Sequence, residues 1–323
     1  MDYNIGVDIG GTKIAAGIVQ RDGTIIHQVK VPTPKLGREA ILQVLKEVIV
    51  ELTLFANKKS ITLGGIGIGT AGQVHVQEAK ILSGTSNIRN WGGIHLREEI
   101  KAYSELPVYV DNDVNVLTLA EQYFGAAKGY QEVICLALGT GVGGGVLTKG
   151  SLIHGTWGGA TELGHMSVDM NGELCNCGLP GCLETFASGT WIARRMSKLL
   201  TEHGEEHIDV ASITGEEVFR FYKEGHPLAK EVVQQMIQGL SIGIINLIHM
   251  FNPQIVVLGG GVMANEDWII YLLQENLKHK GLRALVNGVE LKSAELQNES
   301  GLIGASIQPW LYSTNKFSIE NVQ

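Results

Sequence analysis

The stretch Tyr3–Val31, YNIGVDIGGTKIAAGIVQRDGTIIHQVKV, decides how the whole chain is read. Tyr3–Ile9 is an apolar run of strand length that ends in Asp8-Ile-Gly-Gly-Thr-Lys13. Ile14–Val19 predicts a second strand, Asp22-Gly23 a hairpin turn, and Ile25–Val31 a third strand. The glycine turn therefore lies between antiparallel strands. Both familiar phosphate loops instead join a strand to a helix, and no G-x-x-x-x-G-K-[ST] occurs anywhere in the chain. The turn still offers backbone N–H groups, the Thr12 hydroxyl and the Lys13 cation, which together suit phosphate oxygens. An ordinary hairpin turn would not need Asp, Thr and Lys at once.

The pattern occurs a second time. Val133–Leu138 predicts a strand, Gly139-Thr-Gly-Val-Gly-Gly-Gly145 a glycine turn, and Val146–Leu147 the start of a strand that turns at Lys149-Gly150 into Leu152–His154. Gly139-x-Gly-x-x-Gly144 matches the dinucleotide fingerprint in letters, yet the residues after it are strand-like where the fingerprint demands a helix. Two halves opening with strand, glycine turn and strand predict an α/β fold of two domains facing each other across a cleft. A third cluster, Gly259-Gly260-Gly261, comes after the short apolar run Ile255–Leu258.

Between the two hairpins, Arg38–Ala56 has the spacing of an amphipathic helix, and Ile61–Ile68 predicts a strand entering the loop Gly69-Thr-Ala-Gly72. After a polar excursion carrying Asn87 and Trp91 come a helix, Leu96–Ala102, and a strand, Val108–Val110, ending in Asp111-Asn-Asp-Val-Asn115. Asn112 suits the cap of a helix over Val114–Phe124. Two aspartates and two asparagines in five positions exceed what a cap requires, and ligands of open α/β sheets bind at such strand ends. Downstream, helical spacing covers Leu183–Leu200, Gly215–Lys223, Pro227–Met250, Trp268–His279 and Leu302–Leu311.

The stretch Thr161–Thr185, TELGHMSVDMNGELCNCGLPGCLET, holds three of the four cysteines. His165, Cys175, Cys177 and Cys182 form a tetrahedral ligand set suited to Zn2+, and four protein ligands leave no open position, so such a metal is structural. The alternatives are plain packing of small side chains, or a disulfide with a spare thiol. Four cysteines in 323 residues and no signal-peptide pattern argue against the disulfide. Closing this knot would bring Glu162, His165 and Glu184 into one polar neighbourhood.

Composition narrows the class. The chain carries 44% hydrophobic residues and a net charge of −8, with pI near 5.7, which argues against nucleic acid or an anionic membrane as partner. The apolar stretch Gly239–Phe251 is shorter than the roughly 20 residues of a membrane span. These features predict a cytoplasmic protein.

Taken together, Asp8-Ile-Gly-Gly-Thr-Lys13, Asn112-Asp113, Leu138-Gly-Thr-Gly-Val-Gly-Gly-Gly145, Glu162-Leu-Gly-His165, Cys175-x-Cys-Gly-x-x-Gly-Cys-x-Glu184 and Leu258-Gly-Gly-Gly261 resemble, in order, the motifs of the ROK family of bacterial sugar kinases and repressors. The resemblance covers nearly the whole chain. It implies a two-domain actin/hexokinase-like (ribonuclease H-like) fold: a small α/β domain over 1–117 with a helix of about 300–323 packing back on it, and a large α/β domain over 118–299 with the zinc motif. It implies ATP-dependent phosphorylation of a hexose, with Asp113 as general base, and the expected sugar is glucose, phosphorylated at the 6-hydroxyl. Gly72, Asn87, Asn112, Glu162, His165 and Glu184 would bind the sugar, His165 serving also as zinc ligand. Gly10, Gly11, Thr12, Lys13, Gly139, Thr140, Gly141, Gly259, Gly260 and Gly261 would bind ATP, with Asp8 near Mg2+. A homodimer or homotetramer is expected. The loop Gly69-Thr-Ala-Gly72 departs from the Pro-Gly of many family glucokinases toward N-acetylmannosamine and β-glucoside kinases, which bears on the sugar and not on the reaction. Two other classes compete. A sugar-responsive regulator would need a DNA-reading domain, for which Asp8 is expected to lie too close to Met1, and a glycosidase using Glu162 and Glu184 would not need three glycine clusters.

Overall fold

The computed structural model describes residues 1–85, 88–205 and 209–313, and the expected sugar contact Asn87 lies outside them. The chain forms two compact units, one made of Met1–Gly129, Leu152–Ala160 and the chain from Asn298, the other of Tyr130–Ser151 and Thr161–Gln297.

In the first unit, β1 (Tyr3–Ile9), β2 (Lys13–Gln20) and β3 (Ile25–Pro32) form the antiparallel meander. Helix α1 (Arg38–Lys58) leads to β4 (Leu63–Thr70). A small sheet of β5 (Gln73–His75), β6 (Lys80–Ser83) and β7 (Ile94–His95) precedes α2 (Leu96–Lys101), β8 (Val108–Asn112) and α3 (Asp113–Phe124). The main sheet runs β3-β2-β1-β4-β8, and both β4 and β8 join it in parallel. Buried Ile41, Leu45, Ile49 and Leu52 of α1 belong to the same core as Ile5, Val7, Ile14 and Ile68.

The other part of this unit's packing comes from the C-terminal helix, Ser300–Tyr312. It lies so close to the sheet that a Cβ on Gly67 would stand 1.7 Å from the Ala305 carbonyl, and one on Gly6 2.1 Å from that of Leu302. Buried amides tie the two layers: Asn4 Nδ2 donates to the Ser306 carbonyl at 2.9 Å, and Gln308 Nε2 to that of Ile68 at 3.0 Å. Gly65, Gly67 and Gly69 thus lie inside β4, where they admit Pro309, the helix backbone and Val116. The expected loop Gly69-Thr-Ala-Gly72 is corrected at its start, since Gly69 and Thr70 still belong to β4. Gly72 alone of these glycines lies beyond the strand, in a left-handed conformation (φ 105°) that favours glycine.

The second unit repeats the strand order. Strands β9 (Val133–Leu138), β10 (Val142–Thr148) and β11 (Ser151–Leu152) are succeeded by α4 (Leu183–Ala187), α5 (Gly189–Glu202), α6 (Gly215–Lys223), α7 (Pro227–Phe251), β12 (Ile255–Gly259), α8 (Trp268–Leu277), α9 (Arg283–Val286) and β13 (Glu290–Ser293). The sheet order β11-β10-β9-β12-β13 matches β3-β2-β1-β4-β8 position for position, antiparallel at the hairpin and parallel beyond it. Helix α7 buries Val232, Met236, Leu240, Ile244 and Leu247 along its length, as a core helix does.

Two sequence expectations change here. Strand β10 starts at Val142, so Gly143–Gly145 are strand and not turn. A Cβ on Gly144 would stand 2.4 Å from Leu163, and one on Gly164 2.0 Å from the Val142 carbonyl, so these glycines let the Glu162–His165 turn seat against the hairpin. The helix expected over Leu183–Leu200 breaks at Ser188 (ψ 148°), whose hydroxyl accepts the Trp191 N–H and caps α5.

Candidate active site

In the first unit the glycine turn closes through the Gly10 N–H, which donates to the Lys13 carbonyl at 3.0 Å. The end of β3 braces it: the Thr33 hydroxyl donates to the Gly10 carbonyl at 2.6 Å, and the Thr33 N–H to that of Thr12 at 3.0 Å. Gly11 and Thr12 are left exposed at the tip. Lys13 Nζ reaches Asn298 Oδ1 at 3.3 Å. Asp8 sits beneath the turn, and burial, then the charge of Asp113, push its pKa up to about 6 against the opposing pull of Lys13. Asp8, Lys13 and Asp113 therefore share one electrostatic site. Its two carboxylates outnumber its one cation, and a divalent ion would relieve that imbalance.

Asp113 is the first residue of α3, and its Oδ1 accepts the Val114 N–H at 3.0 Å. Asn112 caps that helix: its Oδ1 accepts the N–H groups of Val114 at 2.8 Å and Asn115 at 3.4 Å. Its Nδ2 donates to the Gly72 carbonyl at 3.2 Å, which leaves one amide hydrogen for a ligand. Capping and ligand binding, posed as alternatives by the sequence, are compatible in this geometry. The loop bearing Gly72 is fixed from behind by buried Trp91, whose Nε1 donates to Thr70 Oγ1 at 2.9 Å.

One residue earlier, Asp111 is fully buried and accepts His154 Nε2 at 2.7 Å. Burial alone would lower the imidazole's pKa. The hydrogen bond and charge of Asp111 outweigh burial, so the imidazolium persists above its ordinary range.

The second unit holds a cavity of about 1240 Å3, lined by Gly139, Thr140, Gly189, Thr190, Thr214 and Gly261 among others. The glycine turn is held by the N-terminus of α5: the Gly189 N–H donates to the Gly139 carbonyl at 2.8 Å, and Thr190 Oγ1 to that of Thr140 at 2.8 Å. Two helix starts, those of α5 and α6, open on this cavity, and helix N-termini favour anions. Thr214 and Glu217 form a capping box on α6, a T-x-x-E signature visible in the sequence. A Cβ on Gly139 or Gly261 would meet open space. Gly260 packs on the Leu138 backbone, and Gly259 is a buried strand residue paired with Ala137, so both stand behind the lining. A Cβ on Gly141 would strike the Glu184 carboxylate at 2.5 Å, so that glycine makes room for a side chain.

Beside it lies the cysteine knot. One ligand atom each of His165, Cys175, Cys177 and Cys182 falls within 4.8 Å of all the others, so the donor set and its convergence fit Zn2+. His165 Nδ1 is the nitrogen turned to the sulfurs, 3.6 Å from Cys175 Sγ. Burial pushes the Cys182 thiol up to about 12 and raises that of Cys175, whereas the Leu179 N–H lowers that of exposed Cys177. A metal binding here must displace protons from buried thiols. Glu184 links the knot to the hairpin: Oε2 accepts the Val142 N–H at 3.1 Å and Oε1 lies 3.9 Å from Cys175 Sγ. Glu162 is exposed, preceded by Thr161 at φ 66°, a rare conformation for a β-branched residue, with its hydroxyl bonded to the Gly144 carbonyl.

A duplicated sheet of this order, each copy opening on a glycine hairpin, defines the actin/hexokinase-like class. The comparisons agree. The ROK family profile matches residues 4–309. A glucokinase of Halalkalibacterium halodurans is 33% identical, over 98% of this chain and 97% of its own. Among solved structures, the ROK hexokinase of Thermus thermophilus matches with a TM-score of 0.82 at 32% identity, covering 96% of this chain and 98% of that one. A ROK family glucokinase of Streptomyces griseus, solved with glucose and AMPPNP, matches with 0.77 at 31%, covering 95% and 98%. The chain belongs to the ROK family.

Proposed function

We propose that the protein is an ATP-dependent sugar kinase that transfers the γ-phosphoryl group of ATP to the 6-hydroxyl of glucose. The observation that carries this reading is the grouping of Asp113 with Asp8 and Lys13 at one edge of the first sheet, where the parallel strands β1, β4 and β8 end, a carboxylate beside a phosphate-suited turn. Phosphoryl transfer asks mainly for alignment and charge neutralisation. Asp113 orients the sugar hydroxyl and accepts its proton as the oxygen–phosphorus bond forms and the bond to the ADP oxygen breaks. Lys13 and the N–H groups of the exposed Gly11 and Thr12 face phosphate oxygens over the turn that Gly10 closes, and Gly139, Thr140 and Gly261 border the nucleotide, with Gly141, Gly259 and Gly260 shaping the turns beneath. Bound Mg2+, held near Asp8, would supply charge neutralisation. Zn2+, held by His165, Cys175, Cys177 and Cys182, would fix the Glu162–His165 turn and Glu184. Asn112, Gly72, Asn87, Glu162, His165 and Glu184 bind the sugar hydroxyls. With Nδ1 turned to the sulfurs, His165 keeps Nε2 for that task.

Several hydrogen-bonding groups around neighbouring hydroxyls reject an analogue lacking one of them. Glucose is the economical fit. N-acetylmannosamine is the second reading, favoured by the Gly69-Thr-Ala-Gly72 sequence, since an N-acetyl group needs room and the Thr70-Ala71 segment carries only small side chains there. A coupled assay of ADP release over a panel of hexoses and amino sugars tests this. The expected result is the highest kcat/KM for glucose. A clear preference for N-acetylmannosamine would replace the sugar while keeping the reaction, and no ADP release with any sugar would overturn the kinase.

A further inference from the structure

Asp111 stands one residue before Asn112 and two before Asp113, and its two oxygens serve different pieces of chain. Oδ1 accepts the backbone N–H of Asn112 at 2.7 Å and Asn115 Nδ2 at 2.8 Å, both within the start of α3. Oδ2 accepts Nε2 of His154 at 2.7 Å, from a residue 43 positions on. A carboxylate with no solvent exposure needs such a donor on each oxygen, because an unmatched one retains its full desolvation cost.

His154 is presented from a fixed backbone. Its carbonyl accepts the N–H groups of Gly158 at 2.9 Å and Ala160 at 3.2 Å, and the segment is stitched to the small sheet by the Val76 N–H donating to the Trp157 carbonyl at 2.9 Å. Gly158 permits this contact, since a Cβ there would stand 2.3 Å from the Val74 carbonyl. The imidazole thus connects a rigid turn to the carboxylate that holds the backbone N–H of the residue immediately before the proposed base.

We propose that His154 is a positioning residue for phosphoryl transfer: through Asp111 it sets the Asn112 peptide and so the direction of the Asp113 carboxylate. The inference rests on the reading of Asp113 as base. A base displaced by about 1 Å loses roughly a hundredfold in rate while leaving distant contacts intact. Glutamine at position 154 can still reach Asp111 with an amide N–H, whereas asparagine is too short and leucine has no donor.

The test compares His154→Leu, His154→Asn and His154→Gln in the full-length, zinc-loaded protein, well below the melting midpoint, with folding checked by circular dichroism. The expected result is a kcat roughly 10- to 100-fold lower for the Leu and Asn variants, with KM for ATP within about twofold of wild type and the Gln variant recovering to within about fivefold. If Leu does not fold, the Asn and Gln pair carries the comparison. A folded Leu or Asn variant with kcat within twofold of wild type, or a Gln variant as slow as Asn, overturns the proposal. Asp113→Asn is assayed beside them: wild-type turnover there removes the base assignment itself, whereas a slow Asp113→Asn with unaffected His154 variants removes only the positioning role.

Discussion

Asp113 and Asp8 are two carboxylates at the ends of two parallel strands of one sheet, with different tasks. Asp113→Asn keeps the hydrogen bond to the Val114 N–H and the start of α3 but cannot accept a proton, so kcat is expected to fall roughly 10^2- to 10^4-fold while sugar binding by calorimetry survives. Lost binding with a near-normal rate would sink the assignment. Asp8 predicts a pH dependence. Its pKa is raised from 3.8 to about 6, so the folded state holds this proton more tightly than the unfolded chain. Its contribution to stability is complete below about pH 4 and is lost as pH rises through about 6. Asp8→Asn is therefore expected to raise the thermal midpoint at pH 8 relative to wild type and to lose that advantage at pH 4, while activity with Mg2+ collapses. An equal midpoint shift at both pH values would exclude burial of the charge as the cause.

At the scale of elements, glycines separate into those that admit other parts of the protein and those that face open space. Gly67→Ala would push a methyl group into the Ala305 carbonyl and separate the C-terminal helix from β4, costing on the order of 3 kcal/mol. Gly139→Ala meets no atom, so the unfolding free energy should stay within roughly 0.5 kcal/mol of wild type while KM for ATP rises. Equal destabilisation by the two changes, read by urea titration, would show that the hairpin glycine is structural. The knot gives a second test. Cys177 is exposed, so Cys177→Ala opens no cavity, and any loss can be assigned to the metal. One zinc per chain is expected in the wild type, with metal content and sugar affinity falling together in the variant. Active protein that contains no zinc by elemental analysis would refute the site.

For the whole molecule, two units with separate cores are expected to unfold in two calorimetric transitions. The cavity and the cysteine knot both belong to the second unit. A non-hydrolysable ATP analogue should raise one transition, and a strong zinc chelator should lower that same one, because a ligand stabilises the unit that binds it. A chelator that moves only the other transition would contradict this assignment.

By itself the sequence determined the hairpins, their repetition and the four side chains that converge in the knot, because these rest on short-range rules: strand periodicity, turn chemistry and ligand spacing. The match of Tyr3–Ile9, Gly215–Lys223 and the cap at Asn112 comes from such local signals. Only the tertiary structure decided what the glycines of β4 and β10 are for, since Ala305 and Leu163 are remote or ambiguous partners in the sequence. It alone joined His154 to Asp111, Trp91 to Thr70 and the start of α5 to the Gly139 turn. Each of these is a hydrogen bond between groups more than twenty residues apart, and no local propensity encodes such a pairing; it exists because the packed sheet leaves a buried polar group that a distant donor or acceptor must satisfy.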